Sequence, residues 1–199
     1  MQSTTTVRPA FTRILVGTTA CLGLAAMGLF PAGCNTAPKY SNRKSFALEA
    51  KAAENWFDEN VSGFREQLRD SGGYIVFPDV GEWGIVFLGG TFGRGGVYSA
   101  DGTQTGWAAI NRTGVGLTLG VQGQKVAIVL KDEETMRKFK QGTWSGDVAA
   151  TVVAAQQGAS ASKQFKEGVI VYVGDQAGLM AGVSIALSHV RYKSLADLE

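Results

Sequence analysis

Apolar positions along this chain follow two different periods. Phe46, Ala50, Ala53, Phe57, Val61, Phe64 and Leu68 recur every three or four residues. That spacing draws one stripe along a helix, with Glu49, Glu54, Asp58, Glu59, Arg65 and Glu66 off it. Ser62-Gly63 is a point of division into two helices, because glycine costs up to ~1 kcal/mol inside a helix. From residue 72 the period shortens. Tyr74-Ile75-Val76-Phe77 and Ile85-Val86-Phe87-Leu88 are β-branched and aromatic runs bounded by Gly and Pro, which predicts buried strands. Pro78-Asp79-Val80-Gly81 between them predicts a turn. Residues 72–98 are the stretch around which the rest is organised. The glycines from Gly89 to Gly96 mark bends, bulges or close approach to the backbone.

The pattern continues to the C-terminus. Asp101-Gly102 between alternating runs predicts a two-residue hairpin. Val115, Leu117, Leu119 and Val121 alternate with small residues, leaving one face of that strand almost bare. Gln122-Gly123 predicts a turn into a buried strand over residues 125–130. Asp132 to Gln141 predicts a short helix, with Asp132 as cap, Glu133 and Glu134 in its first turn, and Arg137, Lys138 and Lys140 in its last. Those charges suit the helix dipole, and Gly142 sits at the stop position. Strands follow over residues 148–155, 168–173 and 179–185, with 156–166 as an exposed connection. The fold class expected is α+β and β-rich. It is a Gly-rich antiparallel sheet, closed or folded into a barrel-like body, with N-terminal helices and one short inserted helix.

Composition narrows the function. The chain has 27 glycines among 199 residues, spread between Val, Ile and Trp, which excludes collagen and a flexible linker. Its 19 basic and 17 acidic residues lack the basic excess of a nucleic-acid binder. The only cysteines are Cys21 and Cys34, and the only histidine is His189. That removes most Ser-His-Asp, Cys-His and zinc constellations, so no metal, cofactor or catalytic residue is expected.

The first 33 residues read as an address. A polar start with Arg8 and Arg13 precedes an apolar segment, Ile14 to Phe30, and then Pro31-Ala32-Gly33-Cys34. This is the layout of a secretory signal. Ala32 and Gly33 before Cys34 resemble a bacterial lipobox, with Pro31 where Leu, Val or Ile is usual. Lipidation at Cys34, ordinary cleavage near Ala26-Met27-Gly28, and an uncleaved membrane helix remain alternatives. All three put the body outside the cytoplasm, and Asn35 after a lipidated cysteine fits the outer membrane. The division expected is a signal at 1–33, a tether at 34–42 and a domain at 43–193.

Several blocks resemble, in order, the SYLF-domain family: Gly73-Tyr74-Ile75-Val76-Phe77-Pro78, Gly89-Gly90 to Gly96-Val97-Tyr98, residues 114–120, Phe139 to Trp144, and residues 178–184. The resemblance spans roughly residues 43–188 and implies lipid binding. Eukaryotic relatives bind phosphoinositides, yeast relatives associate with actin filaments, and bacterial relatives are commonly envelope proteins. A basic amphipathic N-terminal helix carries membrane contact in eukaryotic members. Here the polar face is mixed and slightly acidic, so packing on the sheet is the better expectation for it.

The partner expected is phospholipid or a membrane surface, or an envelope protein. Candidate lipid-contacting residues are Arg94 and Arg112, as bidentate phosphate donors, and Trp83, Phe92, Tyr98 and Trp107, as walls of an acyl pocket. Core filling is the competing reading for the aromatics, and a solvated turn for the arginines. Phe87 and Trp144 extend the aromatic set, while Asp79 and Glu82 read as turn carboxylates.

Overall fold

The computed structural model describes residues 36–85, 88–114, 120–143, 151–175 and 190–198, and within these the side chains of 82–85, 88–89, 112–114, 120–122, 151–152 and 175 are not described. Cys34, Phe87, Trp144, His189 and the strand expected at 179–185 lie outside the described residues. A 3-10 turn, Tyr40–Asn42, leads into helix α1, Arg43–Asn60. The stripe read from the sequence is the buried one: Ala50, Ala53 and Phe57 face inward, with Glu54 beside them. α1 ends as Val61 becomes extended. Strand β1, Val61–Ser62, pairs in parallel with β7, Ala159–Ser160. Gly63 then takes φ +78°, a left-handed turn that glycine makes without steric cost, and α2, Phe64–Arg69, begins. The division expected at Ser62-Gly63 is where the break occurs.

The sheet is built from β2 (Gly73–Ile85), β3 (Leu88–Tyr98), β4 (Gln104–Gly114), β5 (Gly120–Leu130), β6 (Thr151–Ala154), β8 (Val169–Asp175) and β9 (Val190–Ser194). Its order is β6-β8-β5-β2-β3-β4-β9. The protein is thus mixed α+β and strand-rich, with few helices. One part of the expected architecture is corrected: the sheet is not wholly antiparallel, because β6 runs parallel to β8. Among the described residues, β6 and β9 stand at the two ends of the strand order.

Three expected turns are also corrected. Residues 78–81 form no turn: β2 runs straight through them. Val76 faces Gly96 and Asp79 faces Arg94, so β2 holds one residue more than β3 there, a bulge. Proline is tolerated at a bulge because the ladder does not need its missing N–H. β5 likewise passes through Gln122-Gly123. Gly123 faces Gly81, and an added Cβ would lie 2.8 Å from Asp79 Oδ1, so this glycine serves close approach. Asp101-Gly102 does turn the chain, with Gly102 at φ +85°. The connection is a longer one, closed by Ser99 N–H donating to Thr103 O at 3.0 Å.

The bulge decides which way β2 presents its side chains. Strand residues alternate between faces, so Ile75 and Phe77 share one face. The extra residue shifts the parity, and Val80 joins them in the same cluster. That face packs on Met136 and Phe139 of α3, Glu133–Lys140. α3 starts as the sequence predicts, with Asp132 accepting the Thr135 N–H at 2.9 Å. The opposite face, with Tyr74, Val76, Val129 and Tyr172, is covered by Phe57, Phe64 and Leu68 of α1 and α2. The N-terminal helices therefore pack on the sheet. Tyr172 also pins the 156–166 connection: its hydroxyl donates to Gln67 Oε1 and accepts the Ser162 N–H at 3.0 Å. All described residues fall within one compact unit, Cys34–Glu199.

Candidate functional site

Where β2 bulges, the sheet leaves the flank of α1 and a groove opens. Its first section, about 330 Å³, is lined by Phe46 and Glu49 of α1, Pro78 of β2, Phe92 and Arg94 of β3, and Asn111 of β4. A second section, about 430 Å³, adds Ala52, Ala53 and Trp56 of α1 and Lys125 of β5. Both sections share Glu49, Pro78 and Asp79, so they run together along one side of the helix. Each section lies in the size range of small-molecule sites.

The chain builds this groove from local features. Phe92 stands opposite Gly81 in the ladder, and its ring fills the space a Cβ on Gly81 would need. The ring is still 51% exposed, a large apolar surface left in water. At the other end, Trp56 lies over Gly174 of β8, whose missing Cβ makes room for the indole. Gly174 faces Lys125, and the Lys125 ammonium sits 5.3 Å from the Trp56 ring centroid, a cation–π contact. The groove therefore has aromatic and small apolar walls, a cation at each end (Arg94 and Lys125), and two carboxylates, Glu49 and Asp79. Among the described residues, no group of three His, Cys, Asp or Glu side chains is placed to hold a metal.

Phe92 and Arg94 are thus brought together, two residues apart on one face of β3. Tyr98 and Trp107 are not with them. Tyr98 is buried and stacks on Tyr74, with ring centroids 5.2 Å apart. Trp107 is 2% exposed, and its ring meets Phe46 edge-on at 5.4 Å. Both fill the layer between the helices and the sheet. Beside Tyr98, the buried Glu54 accepts the Tyr74 hydroxyl at 3.2 Å. Burial, then the Glu54 charge, pushes the Tyr98 phenol up to about 12, and the same two causes raise Tyr74. Trp83 faces Gly90 and Val121 in the ladder, and Arg112 faces Thr91.

Sequence reasoning missed Phe46, Glu49, Pro78, Trp56 and Lys125 as partners of Phe92 and Arg94. Trp56 offered a signal: it sits beside Phe57, at the margin of the stripe, where a helix meets the edge of what it covers. No helix among the described residues is long and apolar enough to cross a membrane.

No curated protein matches the chain. Residues 111–196 match the model of a family described as Ysc84, Las17-binding protein actin regulator. This segment holds the end of β4 and all of β5, α3, β6, β7, β8 and β9. Residues 111–196 are thus similar to the Ysc84, or SYLF-domain, family that the glycine-rich blocks also resemble.

Proposed function

We propose that this protein is a non-enzymatic lipid-binding module of the cell envelope, and that the groove beside α1 takes part of a phospholipid. The observation that carries this reading is the groove itself, with apolar walls, a half-exposed Phe92 and Arg94 at its mouth. An acyl segment along Pro78, Ala52 and Trp56 would exchange water for apolar contact, at roughly 25 cal/mol per Å² buried. Arg94 is in place for a phosphate or ester oxygen. The family match over residues 111–196 supports the same class of ligand. Export and attachment through Cys34, argued from residues 1–34, would keep the body at a membrane.

Lipid retention tests this. The full-length protein, purified from membranes, is expected to carry noncovalent phospholipid in native mass spectrometry. Ala52→Trp, at an exposed position on the groove wall, is expected to lose it while keeping the circular dichroism spectrum. Equal retention by both proteins rules the groove out.

A second reading has one specific support. The family description names a protein partner and an actin regulator. In that reading the groove docks a segment of an envelope protein. Crosslinking in cells that returns one stoichiometric protein, with no lipid retained, favours it.

A further inference from the structure

The opposite flank of α1 forms a second cleft, of about 510 Å³, lined by Lys51 and Glu54 of α1, Arg65 and Arg69 of α2, Tyr74 of β2 and Asp101 of the β3–β4 connection. Its charges are sorted by side. Glu54 is only 4% exposed, a depth at which a carboxylate persists only with partners. Its Oε1 accepts from Lys51 Nζ at 2.6 Å and its Oε2 from the Tyr74 hydroxyl at 3.2 Å. Each oxygen keeps a second lone pair.

On α2, Arg65 donates through Nε to Asp58 at 2.8 Å and through Nη2 to Asn55 at 3.4 Å. Arg69, exposed in the last turn, makes no hydrogen bond or ion pair among the described residues. Across the cleft, Asp101 accepts the Ser99 hydroxyl at 2.5 Å and the Thr103 N–H at 2.9 Å, both on Oδ1. Those two bonds, with the Thr103 hydroxyl also beside the carboxylate, fix it, and neither of them falls on Oδ2.

The cleft therefore offers an uncommitted guanidinium on one lip, at Arg69, and on the other, at Asp101, a fixed carboxylate that has acceptor capacity left on Oδ2. A simple anion meets Arg69 but is repelled by Glu54 and Asp101. A simple cation meets Asp101 but is repelled by Lys51, Arg65 and Arg69. A ligand bearing both charges satisfies both lips. We propose that this cleft binds a zwitterionic phosphoethanolamine-type group, with the phosphate on Arg69 and the primary ammonium on Asp101 Oδ2. A planar guanidinium binds phosphate through two parallel N–H bonds, and an ammonium supplies three donors to carboxylate oxygens. The group comes either from the headgroup of a membrane phospholipid or from a free soluble compound. Only the first source rests on the lipid-binding reading above.

Calorimetric titration of the full-length protein with O-phosphoethanolamine, inorganic phosphate and ethanolamine tests the chemistry. Phosphoethanolamine is expected to bind at least about tenfold more tightly than either half alone, each charge-assisted contact being worth about tenfold. Arg69→Gln and Asp101→Asn, both at exposed positions, are expected to weaken it by about tenfold each with the fold unchanged. Phosphate binding as tightly as phosphoethanolamine, with Asp101→Asn neutral, overturns the proposal, and so does no binding of any of the three.

Flotation with phosphatidylcholine vesicles, with and without phosphatidylethanolamine, separates the sources. Binding enhanced by phosphatidylethanolamine and lost in both variants supports the headgroup. Soluble binding with no enhancement on vesicles keeps the cleft, assigns it a free ligand and leaves the lipid reading of the groove standing. Enhancement that survives both variants overturns the cleft and leaves the lipid reading standing.

Discussion

Replacing Phe57 by Ala tests whether α1 belongs to the body of the protein. Phe57 is 0% exposed, and its ring meets Trp56 at 5.3 Å and Phe64 at 5.4 Å. Burying a phenylalanine contributes about 1.5–3 kcal/mol by area, and each favourable ring pair about 0.5–1.5 kcal/mol more. The void left behind adds its own term, which brings Phe→Ala losses to about 3–5 kcal/mol. Domains of this size are stable by about 5–15 kcal/mol, so the loss is a large share. At about 2–4 °C per kcal/mol, the melting temperature should fall by roughly 6–20 °C. Circular dichroism during urea and thermal unfolding reads it. Leu48→Ala is the control on the same helix, since Leu48 is 66% exposed, and it should change stability by less than about 0.5 kcal/mol. A Phe57→Ala loss below about 1 kcal/mol, or a loss equal to that of Leu48→Ala, refutes the packing of α1 on the sheet.

Three further substitutions probe other joints. Gly174→Ala places a methyl inside the Trp56 ring; it should cost about 1–3 kcal/mol and shift tryptophan emission, and an unchanged spectrum would mean that Trp56 is not seated there. Glu167 holds φ +49° beside Gly168 at φ +80°, in the turn that pairs Lys166 with Val169. Asparagine tolerates that region better than glutamate, so Glu167→Asn should raise stability by about 0.5–1 kcal/mol in urea titration; no gain counts against the strained turn. Asp132→Ala removes the α3 cap and should cost about 1 kcal/mol at neutral pH. The Thr135 hydroxyl and N–H hold the Asp132 carboxyl below its ordinary value. Its contribution is therefore complete above the ordinary aspartate range and is lost as pH falls through the lowered value. The gap between the unfolding midpoints of the two proteins should close in acid, and a gap that widens contradicts the cap.

What was legible in the sequence is what local chemistry decides. α3 was readable because its cap, its charges and its stop lie within a dozen residues. The break after α1 was readable because Gly63 supplies a left-handed φ that few other residues adopt. Pro78 and Gly123 misled for a shared reason. Either residue suits a turn, yet each also suits a ladder in which a neighbouring strand tolerates a missing N–H or needs a missing Cβ. Only the partners, Arg94 across from Asp79 and Gly81 across from Gly123, decide between these uses. The parallel β6–β8 pair depends on register between distant segments and left no local trace. The site was half visible. Phe92 and Arg94 stood out as large residues among glycines, but the α1 side of the groove looked like ordinary helix. Tyr98 and Trp107 carry the same residue types as a pocket wall, and burial alone separates them from one.

Photocrosslinking with a phospholipid that carries a reactive group on its acyl chain tests the central claim most directly. With the full-length protein in vesicles, the account predicts adducts on Phe46, Ala52 and Trp56 of α1 and on Pro78 and Phe92 of the sheet, and their loss in Ala52→Trp. Adducts confined to residues outside the groove, or unchanged by that substitution, would contradict it.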